Sequence, residues 1–151
     1  MTVDKDKQSI KGKRRARKLA VQALYQRLIS NDELSEIEAQ FRAIHVSDNV
    51  DLDYFCRLFY GVSKELTQLD QAFVSFLDRG IESINPIELT ILRLGTFELL
   101  EALEVPYRVV LDEAVTLAKT FGAKDGHKYV NGVLNQVARQ ARAIEIDSKL
   151  S

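Results

Sequence analysis

The sequence predicts an all-α protein of six to seven helices, and three observations carry that expectation. Apolar residues recur at Leu52, Phe55, Phe59, Val62, Leu66, Leu69, Phe73 and Phe76, in alternating steps of three and four that follow the α-helical period. Two prolines and seven glycines are few for a β-rich chain of 151 residues, which would need a turn about every 8–12 residues. Helix-start chemistry is explicit at Asn85-Pro86-Ile87-Glu88, with Asn at N-cap, Pro at N1 and Glu at N3 in a capping-box-like order.

Taken in order, residues 1–12 are polar, lack apolar periodicity and contain Gly12, so they read as a flexible basic N-terminal arm. A first helix follows over 13–29. On a wheel of about 100° per residue, Arg14, Lys18 and Tyr25 share an arc flanked by Arg15 and Gln22, while Ala16, Leu19, Ala20, Ala23 and Leu24 lie opposite. Ser30-Asn31-Asp32 offers N-cap side chains to a second helix carrying Leu34, Ile37, Phe41 and Ile44. Residues 45–50 read as a connector. The seam over 52–77 fits one long helix or two end to end, with Gly61 weakening the middle and Asp70 able to cap a second segment. Its bulky anchors suit an intramolecular bundle better than a coiled-coil dimer.

After a break at 80–85, a helix runs from Pro86 to about Leu103, another from Val109 to Phe121 with Gly122 closing it, and a last one opens at Asp125 or Gly126. The domain then spans 13–145, as two small three-helix-type bundles of about 13–80 and 81–145 sharing a core, with 146–151 a tail.

Composition narrows the function classes. Cys56 is the only cysteine, so no disulfide forms within the chain; its apolar surroundings in sequence read as packing, and a reducing, cytoplasmic setting is expected. No stretch approaches the ~20 apolar residues of a membrane span. His45 and His127 have no Cys or Glu at metal-ligand spacing, and neither phosphate-loop, dinucleotide nor nucleophile-elbow glycine patterns occur. Glu98, Glu101 and Glu104 step by three and read as a solvated face. No catalytic residue, metal or cofactor is expected, and the chain reads as a non-enzyme.

The charge pattern is more informative. Residues 5–18 hold eight Lys or Arg against one acid, a local excess of seven positive charges in a chain whose net charge is −1. Such asymmetry points to a polyanionic partner for the basic segment, with nucleic acid the leading candidate. The alternative is a helical protein-interaction or oligomerisation module whose basic arm binds nucleic acid nonspecifically. A homodimer masking the basic face is compatible with the acidic remainder.

Arg14-Arg15-Ala16-Arg17 with Ala20-Val21-Gln22-Ala23-Leu24-Tyr25 strongly resembles the opening of the NusB transcription antitermination factor family. The same family's order is followed by Glu88-Leu89-Thr90-Ile91-Leu92-Arg93-Leu94, Phe97-Glu98-Leu99, Val105-Pro106-Tyr107, Asp112-Glu113-Ala114-Val115, Leu117-Ala118-Lys119, Phe121-Gly122 and Lys128-Tyr129-Val130-Asn131-Gly132-Val133-Leu134. The match covers about residues 13–138. It implies a NusB-like helical fold that pairs with the ribosomal protein NusE on boxA RNA of ribosomal operons and, with other Nus factors in the elongation complex, helps RNA polymerase resist termination. Asp112 stands where the family usually has Asn, and Asn135 where Asp is common.

Charge and resemblance together nominate the site residues. Lys13, Arg14, Arg15, Arg17 and Lys18 supply cations to the phosphates of single-stranded RNA, and Gln22 can address a base edge. Arg79 is a further RNA candidate near a helix end. Asp125, His127, Lys128 and Tyr129 form the first turn of the last helix, where backbone N–H groups and the positive dipole end favour an anion; Asp125 also reads as an N-cap whose charge tempers RNA affinity. The resemblance assigns Tyr25 and Glu88 to the NusE contact, and Glu88 equally fits the capping box.

Overall fold

The computed structural model describes residues 2–45 and 49–150; residues 46–48 of the expected connector lie outside the described residues. Those described form eight α-helices and no strand: α1 (Thr2–Ser30), α2 (Leu34–Ile44), α3 (Leu52–Lys64), α4 (Leu66–Phe73), α5 (Pro86–Glu101), α6 (Tyr107–Phe121), α7 (Gly126–Ala141) and α8 (Ala143–Leu150). Short 3₁₀ turns occupy Val74–Phe76 and Ile81–Ser83.

The chain divides into two compact units, 1–64 and 65–151. The boundary therefore falls at the break in the apolar seam, not at 80–85 as expected, and the units hold three and five helices. Neither Gly61 nor Asp70 makes the break, which lies at Glu65. Its cause is visible in the second unit. Leu69 and Phe73 of α4 are buried, α4 packs on α5 and α7, and Asp70 spends its carboxylate on Arg93 at 2.8 and 2.9 Å instead of capping a helix.

In the first unit, α1 packs on α3 and α2. The predicted apolar arc is the buried one: Ala16, Leu19, Ala20, Ala23 and Leu24 are at most 6% exposed. The same unit holds an aromatic column, Phe41–Phe55–Phe59, with centroids 6.2 and 5.7 Å apart. The expected arm over 1–12 is helical from Thr2 onward. Gly12, read as a loop signal, instead lets the Asp51 backbone approach: the Asp51 N–H donates to the Gly12 carbonyl at 3.1 Å, and a Cβ at Gly12 would lie 3.4 Å from that nitrogen. Asn31 ends α1 in the left-handed region at φ 58°, its N–H donating to the Arg27 carbonyl, while Glu33 holds the N-cap position of α2 with no side-chain cap. The Ser30–Asp32 stretch thus terminates α1 rather than capping α2.

The lone thiol is not simple packing either. Cys56 is half-buried, donates to Glu38 at 3.6 Å and accepts from Arg42 at 3.2 Å; burial pushes its pKa up. Tyr60 donates a short bond to the same Glu38 carboxylate, which raises Tyr60 to about 12.

In the second unit α5 is the central helix, apolar on nearly every side, with Ile91, Leu92, Leu94 and Leu99 at most 1% exposed. Gly95 lets α7 approach closely, since a Cβ there would sit 2.7 Å from Leu134 Cδ1. Glu98, expected on a solvated face, is 1% exposed. The C-terminal carbonyls of α5 are gathered by Arg142, which donates to Glu98, Leu99 and Ala102 oxygens at 3.1, 2.8 and 3.0 Å. Glu145 pairs with Arg142 at 2.6 Å and accepts the Tyr107 N–H at 3.1 Å, so α8 ties the end of α5 to the start of α6. The expected tail over 146–151 is mostly this helix.

Candidate nucleic-acid surfaces

On the first unit, Lys11, Arg14, Arg15, Lys18 and Gln22 are all exposed, and their spacing of three, one, three and four residues sets them on one side of α1. Arg15 donates to the Asn49 carbonyl at 3.0 Å, which holds its guanidinium toward the start of α3. Arg17 departs from the expectation of a phosphate contact: it is 3% exposed, with its guanidinium 5.5 Å from the centroid of the Tyr54 ring. Lys13 and Arg57 approach the same ring at 5.4 and 5.8 Å. Tyr54, itself 5% exposed, is a shared π surface for three cations that would otherwise repel one another. Arg57 is a cation that sequence reasoning missed; its signal was the i,i+3 spacing from Tyr54 on α3. Tyr25 is half-buried.

On the second unit a different cluster forms. Arg79 grips Asp78 through Nε and Nη2 at 2.7 and 3.2 Å and lies 4.6 Å from the Tyr129 centroid. The guanidinium holds the Asp78 carboxyl below its usual range, and burial pushes the Tyr129 hydroxyl up. Tyr129 is therefore no open stacking surface on the side that Arg79 covers.

Glu88 is 8% exposed. Asn85 does cap α5, accepting from the Ile87 and Glu88 N–H groups at 2.9 and 3.4 Å, yet the Glu88 side chain turns away from that cap and accepts the Ala123 N–H at 3.1 Å. A Cβ at Gly126 would fall 2.5 Å from the same carboxylate. What reaches the surface is the connection that Glu88 holds, not an open carboxylate, which corrects the expectation of an accessible partner contact. The connection leads into the first turn of α7. Asp125 occupies the N-cap position at φ 66° with no side-chain cap bond, and its carboxylate lies 3.6 Å from Lys128 Nζ. His127 and Lys128, with Asp112, Val115, Thr116 and Asn131, line an open depression of about 540 Å³ between α6 and α7. The two surfaces thus bring Arg14, Arg15 and Lys18 together on one unit, and Arg79 with Tyr129 or Asp125 with Lys128 on the other.

Among the described residues no group of three or more His, Cys, Asp or Glu could hold a metal ion, and no helix is long and apolar enough to cross a membrane. Fold and surfaces define an all-helical protein equipped to bind by charge and planar side chains. The NusB family model matches residues 14–139, and the chain belongs to the NusB family, whose members are non-enzymatic transcription antitermination factors. It is 56% identical over 141 residues to the transcription antitermination protein NusB of Legionella pneumophila (strain Corby), covering 93% of this chain and 96% of that one. It is 52% identical over 134 residues to that of Pseudomonas syringae pv. tomato, covering 89% and 81%. Its fold matches solved T. maritima NusB with a TM-score of 0.75 at 26% identity, over 84% of this chain and 90% of that one. NusB in a crystal structure of antitermination factors NusB and NusE with dsRNA matches with a TM-score of 0.78 at 23% identity, over 86% and 98%.

Proposed function

We propose that this protein is a cytoplasmic RNA-binding antitermination factor that acts with NusE on boxA RNA of ribosomal operons, within an elongation complex containing other Nus factors. The observation that carries the reading is the exposed cationic side of α1, Arg14, Arg15 and Lys18, in a chain of this family. Tyr25 and the connection braced by Glu88 are its candidate NusE contacts; Gln22, His127 and Lys128 are candidate RNA contacts. Lys13 reaches RNA from beside the Tyr54 ring, and Arg17 supports that side of α1 from beneath the surface through the same ring. That a structural neighbour is a complex of NusB and NusE with dsRNA supports the pairing of partners.

The test is a titration with boxA-bearing single-stranded RNA, a scrambled strand and a duplex, each with and without NusE and across salt. Three phosphate contacts on a single strand give a log–log salt slope of about −2. Preference for boxA that sharpens when NusE is present supports the reading. Equal affinity for boxA and scrambled RNA with NusE present overturns it in favour of a helical interaction module with a nonspecific basic face.

A further inference from the structure

Arg79 differs from the cations of α1 in how its guanidinium is used. Phosphate recognition by arginine relies on presenting a fork of N–H donors to oxygen atoms. At Arg79 the Nε and Nη2 edge of that fork is already spent on Asp78, at 2.7 and 3.2 Å. The carboxylate is itself 65% exposed, so an approaching phosphate meets a negative charge beside the positive one. The flat of the group is presented differently. Its Cζ lies over the Tyr129 ring, 4.6 Å from the centroid, and the side chain is still 48% exposed, so part of the guanidinium remains open to a ligand. Tyr129 is anchored in the first turn of α7 and its hydroxyl is buried, which gives the stack a rigid floor.

We propose that Arg79 is a base-stacking plane for single-stranded RNA, oriented by Asp78 and backed by Tyr129, and not a phosphate contact. The proposal rests on the RNA reading above. A guanidinium whose fork is paired with a carboxylate suits a nucleobase, because stacking on an arginine plane draws on its flat face and not on free N–H donors. Asp78 is then a positioning residue: its two bonds hold the guanidinium over the tyrosine.

The experiment uses the full chain and boxA-bearing single-stranded RNA with 2-aminopurine placed at successive positions. Arg79→Lys keeps the charge and removes the plane. The expected loss of affinity is about five-fold to about 150-fold, the worth of one stacked base, with the salt slope unchanged. At one RNA position, the fluorescence quenching seen with the wild type disappears. Arg79→Tyr restores a plane without charge and recovers most of both signals. The proposal is overturned if Arg79→Lys binds like the wild type while Arg79→Gln flattens the salt slope by about 0.7, the signature of one phosphate. A wild type that binds no RNA overturns this proposal and the RNA reading together. A wild type that binds, weakens on Lys18→Gln and ignores Arg79→Lys overturns the stack alone.

Discussion

Glu88→Ala tests how the second unit presents the first turn of α7. The carboxylate is 8% exposed and accepts the Ala123 N–H at 3.1 Å, with Gly126 close enough that a Cβ there would lie 2.5 Å away. A hydrogen bond to a charged group contributes about 1.5–3 kcal/mol, and its removal leaves the Ala123 amide without the carboxylate. The expected loss for Glu88→Ala is therefore about 2–3 kcal/mol, or about 5–10 °C in melting temperature for a chain of this size. Glu88→Gln keeps the shape and a neutral acceptor and should cost about 1 kcal/mol. Urea unfolding at fixed pH reads both losses, and native-state hydrogen exchange should show the Ala123 amide opening earliest. Affinity for RNA should fall through the loosened α7 turn, without a change in the salt slope set by α1. If Glu88→Ala unfolds within about 0.5 kcal/mol of the wild type, as an ordinary surface substitution would, the carboxylate does not brace the connection and the reasoning fails.

Three further outcomes follow from the geometry. Arg142→Met should destabilise by about 3–5 kcal/mol in urea, because it strands the Glu145 carboxylate, two α5 carbonyls and that of its C-cap residue Ala102 in a nearly buried site; a loss below about 1 kcal/mol would remove α8 from the stabilising architecture. Lys18→Gln should flatten the RNA salt slope by about 0.7 without changing stability, whereas Arg17→Gln should leave the slope alone and cost about 2 kcal/mol of folding stability through the Tyr54 contact; the opposite pattern would put Arg17 back on the surface. Tyr60 should titrate at about 12 by phenolate absorbance in the folded protein and near the ordinary phenol value of 10 when unfolded. Its folded pKa is raised, so its contribution to stability is complete below pH 10 and fades as pH climbs toward 12. Glu38, lowered first by the Tyr60 bond and then by Arg42, contributes above its unfolded value of 4.5 and loses that contribution as pH falls through its folded pKa. Tyr60→Phe should weaken both limbs of the stability–pH curve; unchanged limbs would show that the pair is not coupled to folding.

Much of this molecule was legible in its sequence because helices are written in local periodicity. The three-and-four spacing of apolar residues placed α2, α3 and the later helices within a few residues, and Asn85-Pro86 marked the start of α5. The buried side of α1 was equally readable, since Ala16 through Leu24 obey one wheel. Local patterns failed where a distant residue supplied the partner. Gly12 is a loop signal by itself but lies within α1 against the Asp51 backbone, and Ser30–Asp32 has cap chemistry but ends α1 through the left-handed Asn31.

The candidate site divides along the same line. That α1 is basic, that the chain is helical and that it belongs with antitermination factors follow from composition, spacing and ordered motifs, which depend only on which residues are present. Which of the cations are exposed was decided by packing. Arg17 is drawn under the surface because Tyr54 of α3 offers its ring, and Glu88 turns from its own cap because the glycines at 122 and 126 leave a pocket for a carboxylate and the Ala123 amide supplies its donor. Arg79 likewise becomes a plane rather than a fork only where Asp78 and Tyr129 meet it. Charge is a property of the residue and can be counted; orientation is a property of neighbours far apart in the chain, and only the tertiary structure brings them together.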